Sequence, residues 1–217
     1  MKKPIQNYWA LRLEQTRKAL EKNNFDVFVA KDGSEAKDIV LNTIIPSIKP
    51  RTLSWGGSVT LVATGLYEAL KDDARYEVLD TFDKKMPKED MAELRRQALL
   101  VDVFMTGTNA LTQAGQLVNL DMYGNRVAAI TFGPKHVIIL VGRNKIVADL
   151  DEAVKRVKGY AAPVNAMRLD KKTPCVHTAV CEECKSPERI CNTWTITEKG
   201  FPKGRTKVVL INQDLGF

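Results

Sequence analysis

Cys175, Cys181, Cys184 and Cys191 are the only cysteines of the chain, and they fall within 17 residues as Cys-x5-Cys-x2-Cys-x6-Cys. Two residues between Cys181 and Cys184 let both thiolates converge on one centre, while Cys175 and Cys191 approach it from either side. Zinc bound by four thiolates usually sits between two short Cys-x2–4-Cys knuckles. Here there is one knuckle and two outlying cysteines. A 4Fe–4S cluster also takes four thiolates and tolerates dispersed loop ligands, although this spacing matches no diagnostic cluster pattern. Both centres therefore stay open on spacing alone. His177, two residues after Cys175, is a substitute ligand in principle but reads more readily as an exposed or neighbouring imidazole. His136 opens an apolar run and reads as structural. Two histidines so far apart form no acid–base pair.

A second group of residues lies where strands should end. Gly56-Gly57-Ser58 follows a short apolar strand and precedes a helical segment, so two glycines would let backbone N–H groups approach an anion. Thr106-Gly107-Thr108-Asn109 follows another strand and is joined by Asn119, Asp121, Asn125 and Arg126, a concentration of fixed donors and acceptors suited to a sugar, phosphate or carboxylate. Asn and Asp also fill turns and caps. Lys145, at a third strand end, would balance a ligand's negative charge or remain a solvated surface lysine. The pocket reading thus takes in Gly56, Gly57, Ser58, Thr106, Gly107, Thr108, Asn109, Asn119, Asp121, Asn125, Arg126 and Lys145, around a small anionic ligand.

Alternating elements must carry these loops. Trp9, Leu13, Thr16 and Leu20 recur at helical spacing, and 26–30 reads as a strand. A helix over Glu35–Ile45, capped by Ser34, should stop at Pro46, and 51–55 should be a strand leading into a helix over 59–70. Further strands are expected at 77–79, 101–105, 116–120, 136–141 and 207–211. Helices are expected over 87–100, with Ala92, Leu94, Ala98 and Leu99 inward, over 123–131, and from an Asp149/Glu152 capping box to Gly159. Apolar strands alternating with amphipathic helices imply an α/β fold with a mostly parallel sheet and helices on both faces. The regular pattern ends near Pro163, which suggests a core domain over 1–162 and a loop-rich cysteine extension over 163–217 whose last strand returns to the core.

The 217 residues include 44% hydrophobic and 27% charged, an ordinary globular mixture. The longest nearly apolar run, 136–142, is far short of a membrane span. No apolar signal core follows the basic N-terminus, so a cytoplasmic protein with reduced thiols is expected. A net charge of +7, from 33 basic and 26 acidic residues, favours anionic partners. The basic residues are scattered without interleaved aromatics, which argues against nucleic acid as the partner. Self-association is left open.

Thr106 through Thr112, Gly124-Asn125-Arg126-Val127-Ala128, Phe132-Gly133-Pro134-Lys135, Gly142 through Val147, the cysteine segment and Asp214-Leu215-Gly216 together resemble the LUD (lactate utilisation) domain family. The resemblance covers almost the whole chain. It implies a fold like glucosamine-6-phosphate deaminase, ribose-5-phosphate isomerase and the CoA transferases, whose glycine-rich strand ends bind sugar phosphates or acyl-CoA. Gly56, Gly57, Ser58, Asn109 and Lys145 match that pattern in kind, and a catalytic glutamate of the CoA transferases has no counterpart. It further implies a component of L-lactate oxidation, a ligand that is a hydroxy acid or sugar phosphate, iron–sulfur redox partner proteins, and a 4Fe–4S cluster in preference to zinc. The competing reading is a non-redox binding or regulatory protein stapled by structural zinc.

Overall fold

The computed structural model describes residues 2–217. In chain order it contains α1 (Lys2–Lys22), β1 (Asp26–Ala30), α2 (Gly33–Ile39), a π-helical turn (Val40–Ile44), α3 (Ile45–Ile48), β2 (Thr52–Trp55), α4 (Val59–Ala63), α5 (Leu66–Leu70), β3 (Glu77–Leu79) and α6 (Lys88–Gln97). These are followed by β4 (Val103–Gly107), β5 (Ala110–Thr112), β6 (Leu117–Asp121), α7 (Asn125–Thr131), β7 (His136–Gly142) and β8 (Ile146–Val147). The last part holds α8 (Leu150–Arg156), a second π-helical turn (Val157–Ala161), α9 (Ala162–Arg168), α10 (Cys175–Thr178), β9 (Thr193–Thr197) and β10 (Thr206–Ile211).

Six strands form an all-parallel sheet in the order β1-β10-β7-β4-β2-β3. Its central strands, β7 and β10, are apolar without alternation because both faces are covered. Ile138, Leu140, Val209 and Ile211 pack with Ala36, Val40 and Ile44 of the bent second helix and Leu61, Leu66 and Leu70 of α4 and α5. The alternate residues Val137, Ile139, Val141, Val208 and Leu210 pack with Leu13 and Leu20 of α1 and Ile130 of α7. The α/β architecture expected from the sequence is thus present, with helices on both faces. A second, four-stranded mixed sheet (β8-β5-β6-β9) leans on the second face through Leu111 and Leu117. The stretch 163–217 supplies α9, the cysteine loop, β9 to the small sheet and β10 to the middle of the large one.

Several local expectations are corrected. Pro46 does not end its helix: the preceding π turn places it in the first turn of α3, where its missing N–H costs nothing, and the helix runs to Ile48. Its cap is Asp32, accepting from the Glu35 N–H, rather than Ser34. The helix expected over 59–70 breaks at Gly65, which sits at φ 79. Met91 takes the inward position of α6 and Ala92 is exposed. The last long helix continues through Pro163 to Arg168, again after a π turn. Thr106–Thr112 is mostly two strands joined by Thr108-Asn109.

Candidate functional site

The carboxyl ends of parallel strands are where α/β sheets leave a crevice, because the connecting chains diverge there. A cleft of about 780 Å³ opens at the ends of β2, β3 and β4. It is walled by Gly57 and Ser58 after β2, Thr81 and Phe82 after β3, Gly107, Thr108 and Asn109 after β4, and Asp121, Asn125 and Arg126 around the start of α7. Lys145 reaches it from the turn after β7. Of the twelve residues that the sequence grouped into a pocket, nine line this cleft. Gly56, Thr106 and Asn119 lie behind its wall. Gly56 is packing space: a Cβ there would stand 2.8 Å from Arg126 Cγ and 2.9 Å from Phe104 Cζ.

Arg126 is a buried strut. Its Nε donates to Asp121 Oδ1 (3.1 Å), one terminal nitrogen to Gly107 O (3.2 Å) and Asn119 Oδ1 (2.9 Å), and the other to Asn109 Oδ1 (2.9 Å) and Leu120 O (3.0 Å). All five N–H donors are used. Asn109 Oδ1 also accepts from the Leu120 N–H, and Asp121 Oδ2 from the Gly124 N–H. Arg126, Asn109, Asn119 and Asp121 therefore tie β4, β6 and α7 together and hold the wall in shape. Outside this network, Gly57, where a Cβ would meet nothing within 4 Å, Ser58, Asn125 and Lys145 also line the cleft. The expected helix-terminus anion site is shortened to the five residues of α4, with Ser58 Oγ capping the Leu61 N–H.

Lys145 is 4% exposed, which excludes a solvated surface lysine. Its Nζ donates to Thr60 Oγ1 (2.8 Å) and Thr108 O (3.1 Å), both uncharged. No carboxylate forms an ion pair with it among the described residues. Burial, with Arg156 and Arg126 as neighbouring cations, lowers its pKa from 10.5 to about 7. Sequence alone did not single out the rest of the cleft: Lys84, Arg168 and Arg95, the last stacked 4.7 Å over the Tyr123 ring, together with Tyr67 and Phe82. Cations at single loop and helix positions carry no local spacing signal.

The four cysteines line a second, much smaller cavity, of about 20 Å³, with Ala162, Pro163, Ala166, Thr173 and Ile190. Thr173 Oγ1 is 3.3 Å from Cys175 Sγ. Arg189 braces the loop by donating to the carbonyls of Cys184 (2.8 Å) and Cys191 (2.9 Å). Lys158, paired with Glu183, adds a second cation beside it. Burial raises the Cys191 thiol, and Arg189 and Lys158 oppose that rise. His177 is exposed and outside the cavity. Among the described residues no three His, Cys, Asp or Glu side chains are gathered closely enough to hold a metal ion. The donor set is nevertheless right for a thiolate-bound centre: four soft ligands in a mainly apolar lining that also includes Thr173 and Glu182, with two cations beside it.

One partition separates the two cavities. Helix α9 and the turn before it present Ala161, Asn165, Arg168 and Leu169 to the cleft, and Ala162, Pro163 and Ala166 to the thiols. The i, i+3, i+4 spacing within each set is what gathers it on a face of its own. Ile190, one residue before Cys191, lines both cavities.

The family model for the LUD domain matches residues 13–211. Among solved structures, a DUF162 family protein from Deinococcus radiodurans is 16% identical, the match covering 94% of this chain and 98% of that one at a TM-score of 0.48. Ribose 5-phosphate isomerase A from Neisseria gonorrhoeae is 15% identical over 56% of this chain and 57% of that one, at a TM-score of 0.33. eIF2B delta from Chaetomium thermophilum is 16% identical over 67% and 53%, at 0.29. No curated protein matches the chain.

Proposed function

The chain belongs to the LUD domain family, and from that premise we propose that it is a cytoplasmic redox-associated protein of lactate or related hydroxy-acid metabolism. Its cleft binds an anionic ligand and its four cysteines hold a 4Fe–4S cluster that exchanges electrons with partner proteins. The observation that carries this reading is the shared wall: a ligand in the cleft and a centre at the thiols would be separated by one helix and Ile190. A cluster held by four thiolates supplies one-electron transfer and leaves no open iron position. The protein's own part is to hold the ligand against α9, to keep water from the thiols with Ile190 and Ala166, and to offset the centre's charge with Arg189 and Lys158.

Absence of any membrane-spanning helix among the described residues is compatible with this role. A second reading, zinc as a structural staple on a non-redox binding protein, is favoured by one observation. The cavity that the thiols line, about 20 Å³, is closer in size to a single ion than to a cluster, and the thiols would have to close in on either.

Anaerobically purified protein decides between them. Iron, acid-labile sulfide and broad visible absorbance bleached by dithionite are the expected result. One zinc per chain and no colour would sink the cluster. Cys184→Ser should remove the centre, and full metal content in that variant would refute ligation by the four thiols. For the cleft, thermal stabilisation by lactate, pyruvate, sugar phosphates and CoA is the test, with no stabilisation by any of them counting against it.

A further inference from the structure

Lys145 is a buried primary amine at the floor of the cleft, and neither reading above gives it chemistry. Three elements surround its Nζ. Thr60 of α4 and the Thr108 carbonyl after β4 accept two of its hydrogen bonds, and Gly216 passes so close that a Cβ there would stand 3.2 Å away. Facing charges come from Arg126 of α7 and Arg156 of α8, both cationic. The one carboxylate of the inner wall, Asp121, is already bonded to Arg126. An ammonium group here has no counter-ion, so its site favours the free amine, consistent with its pKa of about 7. An amine that is free at neutral pH, anchored by two acceptors and open to a cleft, has the requirements of a carbonyl nucleophile.

We propose that Lys145 adds to the carbonyl carbon of an anionic oxo compound bound in the cleft and forms a reversible imine. This rests on the cleft being the ligand site. The nitrogen lone pair forms the new C–N bond as the C=O π pair moves to oxygen. The two N–H hydrogens then pass to that oxygen, which leaves as water, and a C=N bond remains. No oxidant or reductant enters. Thr60 Oγ1, which accepts from Lys145 Nζ and donates to Leu215 O (3.2 Å), is placed to hold the amine's direction and to relay a proton. The shared chemistry is a carbonyl group carried on an anion. A 2-oxo acid and an open-chain sugar phosphate both meet it.

The test is reductive trapping on the full chain, with pyruvate in one arm and ribose 5-phosphate in the other, each with cyanoborohydride at neutral pH. Intact-mass and peptide mass spectrometry read the adduct, and thermal shift without reductant reads binding. The expected result is one saturable adduct per chain on the peptide holding Lys145 in at least one arm, and the arm that labels identifies the source of the carbonyl. Lys145→Arg, which lacks the primary amine, should lose the adduct. Lys145→Met serves if the bulkier arginine does not fold. If a probe stabilises the protein but labels only exposed lysines, the nucleophile is overturned while the cleft stands. If neither probe stabilises or labels it, the nucleophile is overturned, and the anion-binding reading falls with it when lactate and CoA also fail to stabilise the protein.

Discussion

Replacing Lys145 by Met tests the neutral amine through stability. A lysine in the unfolded chain keeps its proton up to about pH 10.5, whereas in the folded protein it gives the proton up near 7. Between those values the unfolded state binds more protons, so the wild type gains stability as pH rises, at no more than about 1.4 kcal/mol per unit. The full difference is about 4–5 kcal/mol, of which about 3 kcal/mol should appear between pH 7 and 9.5. Methionine fills similar space, does not titrate, and leaves the Thr108 carbonyl without its donor, a pH-independent cost of about 1–3 kcal/mol. Tyrosines and thiols titrate alike in both proteins and cancel. Urea unfolding of both, with equal m-values, gives the difference at each pH. It should shift toward the wild type by about 3 kcal/mol over that window. A difference that stays constant within about 1 kcal/mol would show that Lys145 ionises as an ordinary solvated lysine, and the buried-amine reasoning would be wrong.

Adjacent glycines should part company: Gly56→Ala meets Arg126 and Phe104 below 3 Å and should lower stability by about 1–3 kcal/mol, whereas Gly57→Ala opens into empty cleft and should fold normally while weakening ligand-induced thermal stabilisation. Arg126→Lys keeps the charge but cannot reproduce five directed donors, so urea midpoints should fall by about 3–5 kcal/mol equivalent. Asp102, which accepts from Lys135 and from the Arg51 and Thr52 N–H groups, has its carboxyl lowered from 3.8 to about 2. Its contribution is present above pH 4 and lost as pH falls toward 2, so Asp102→Asn should flatten the acid side of the stability profile by about 1 kcal/mol.

How far this molecule was legible follows from the range of the forces involved. Val137–Val141 and Val208–Ile211 announce buried parallel strands because both faces of the sheet impose the same local demand. The strand-end glycines are local too, and Gly57, Ser58, Gly107 and Lys145, which the sequence groups at strand ends, line one cleft. Arg126 and Asn109 also line the cleft, while their hydrogen bonds build its framework. Asn and Arg at strand ends serve a ligand or a framework equally, and only the count of satisfied donors separates the two. The burial of Lys145 is set by the Gly216 segment and by Thr60, 85 positions away, and no local pattern reports it. The two faces of α9 carry no sequence signal because Pro163 reads as a boundary and a π turn is invisible to a 3.6-residue period.

The size and charge of the cleft bear on which anion it takes. A three-carbon acid fills only the floor of a 780 Å³ space, whose volume lies in the range of about 300–1,000 Å³ used for much larger molecules. Lys145 is a buried part of that lining, whereas Lys84 and Arg168 line the cleft as exposed side chains, with Glu68 the one acidic side chain of the lining outside the Arg126 network. An elongated ligand with its reacting carbonyl at Lys145 and its charge toward Lys84 and Arg168 uses both ends. Ribose 5-phosphate should therefore bind more tightly than pyruvate. A double Lys84→Ala, Arg168→Ala variant should reduce binding of the phosphorylated compound by about tenfold or more while leaving that of pyruvate within about twofold, since two partly screened charge contacts are worth about 1–2 kcal/mol. Equal losses for both compounds in calorimetric titration would mean that the rim acts through the overall field of the cleft, and the division into a reacting floor and a charged rim would not hold.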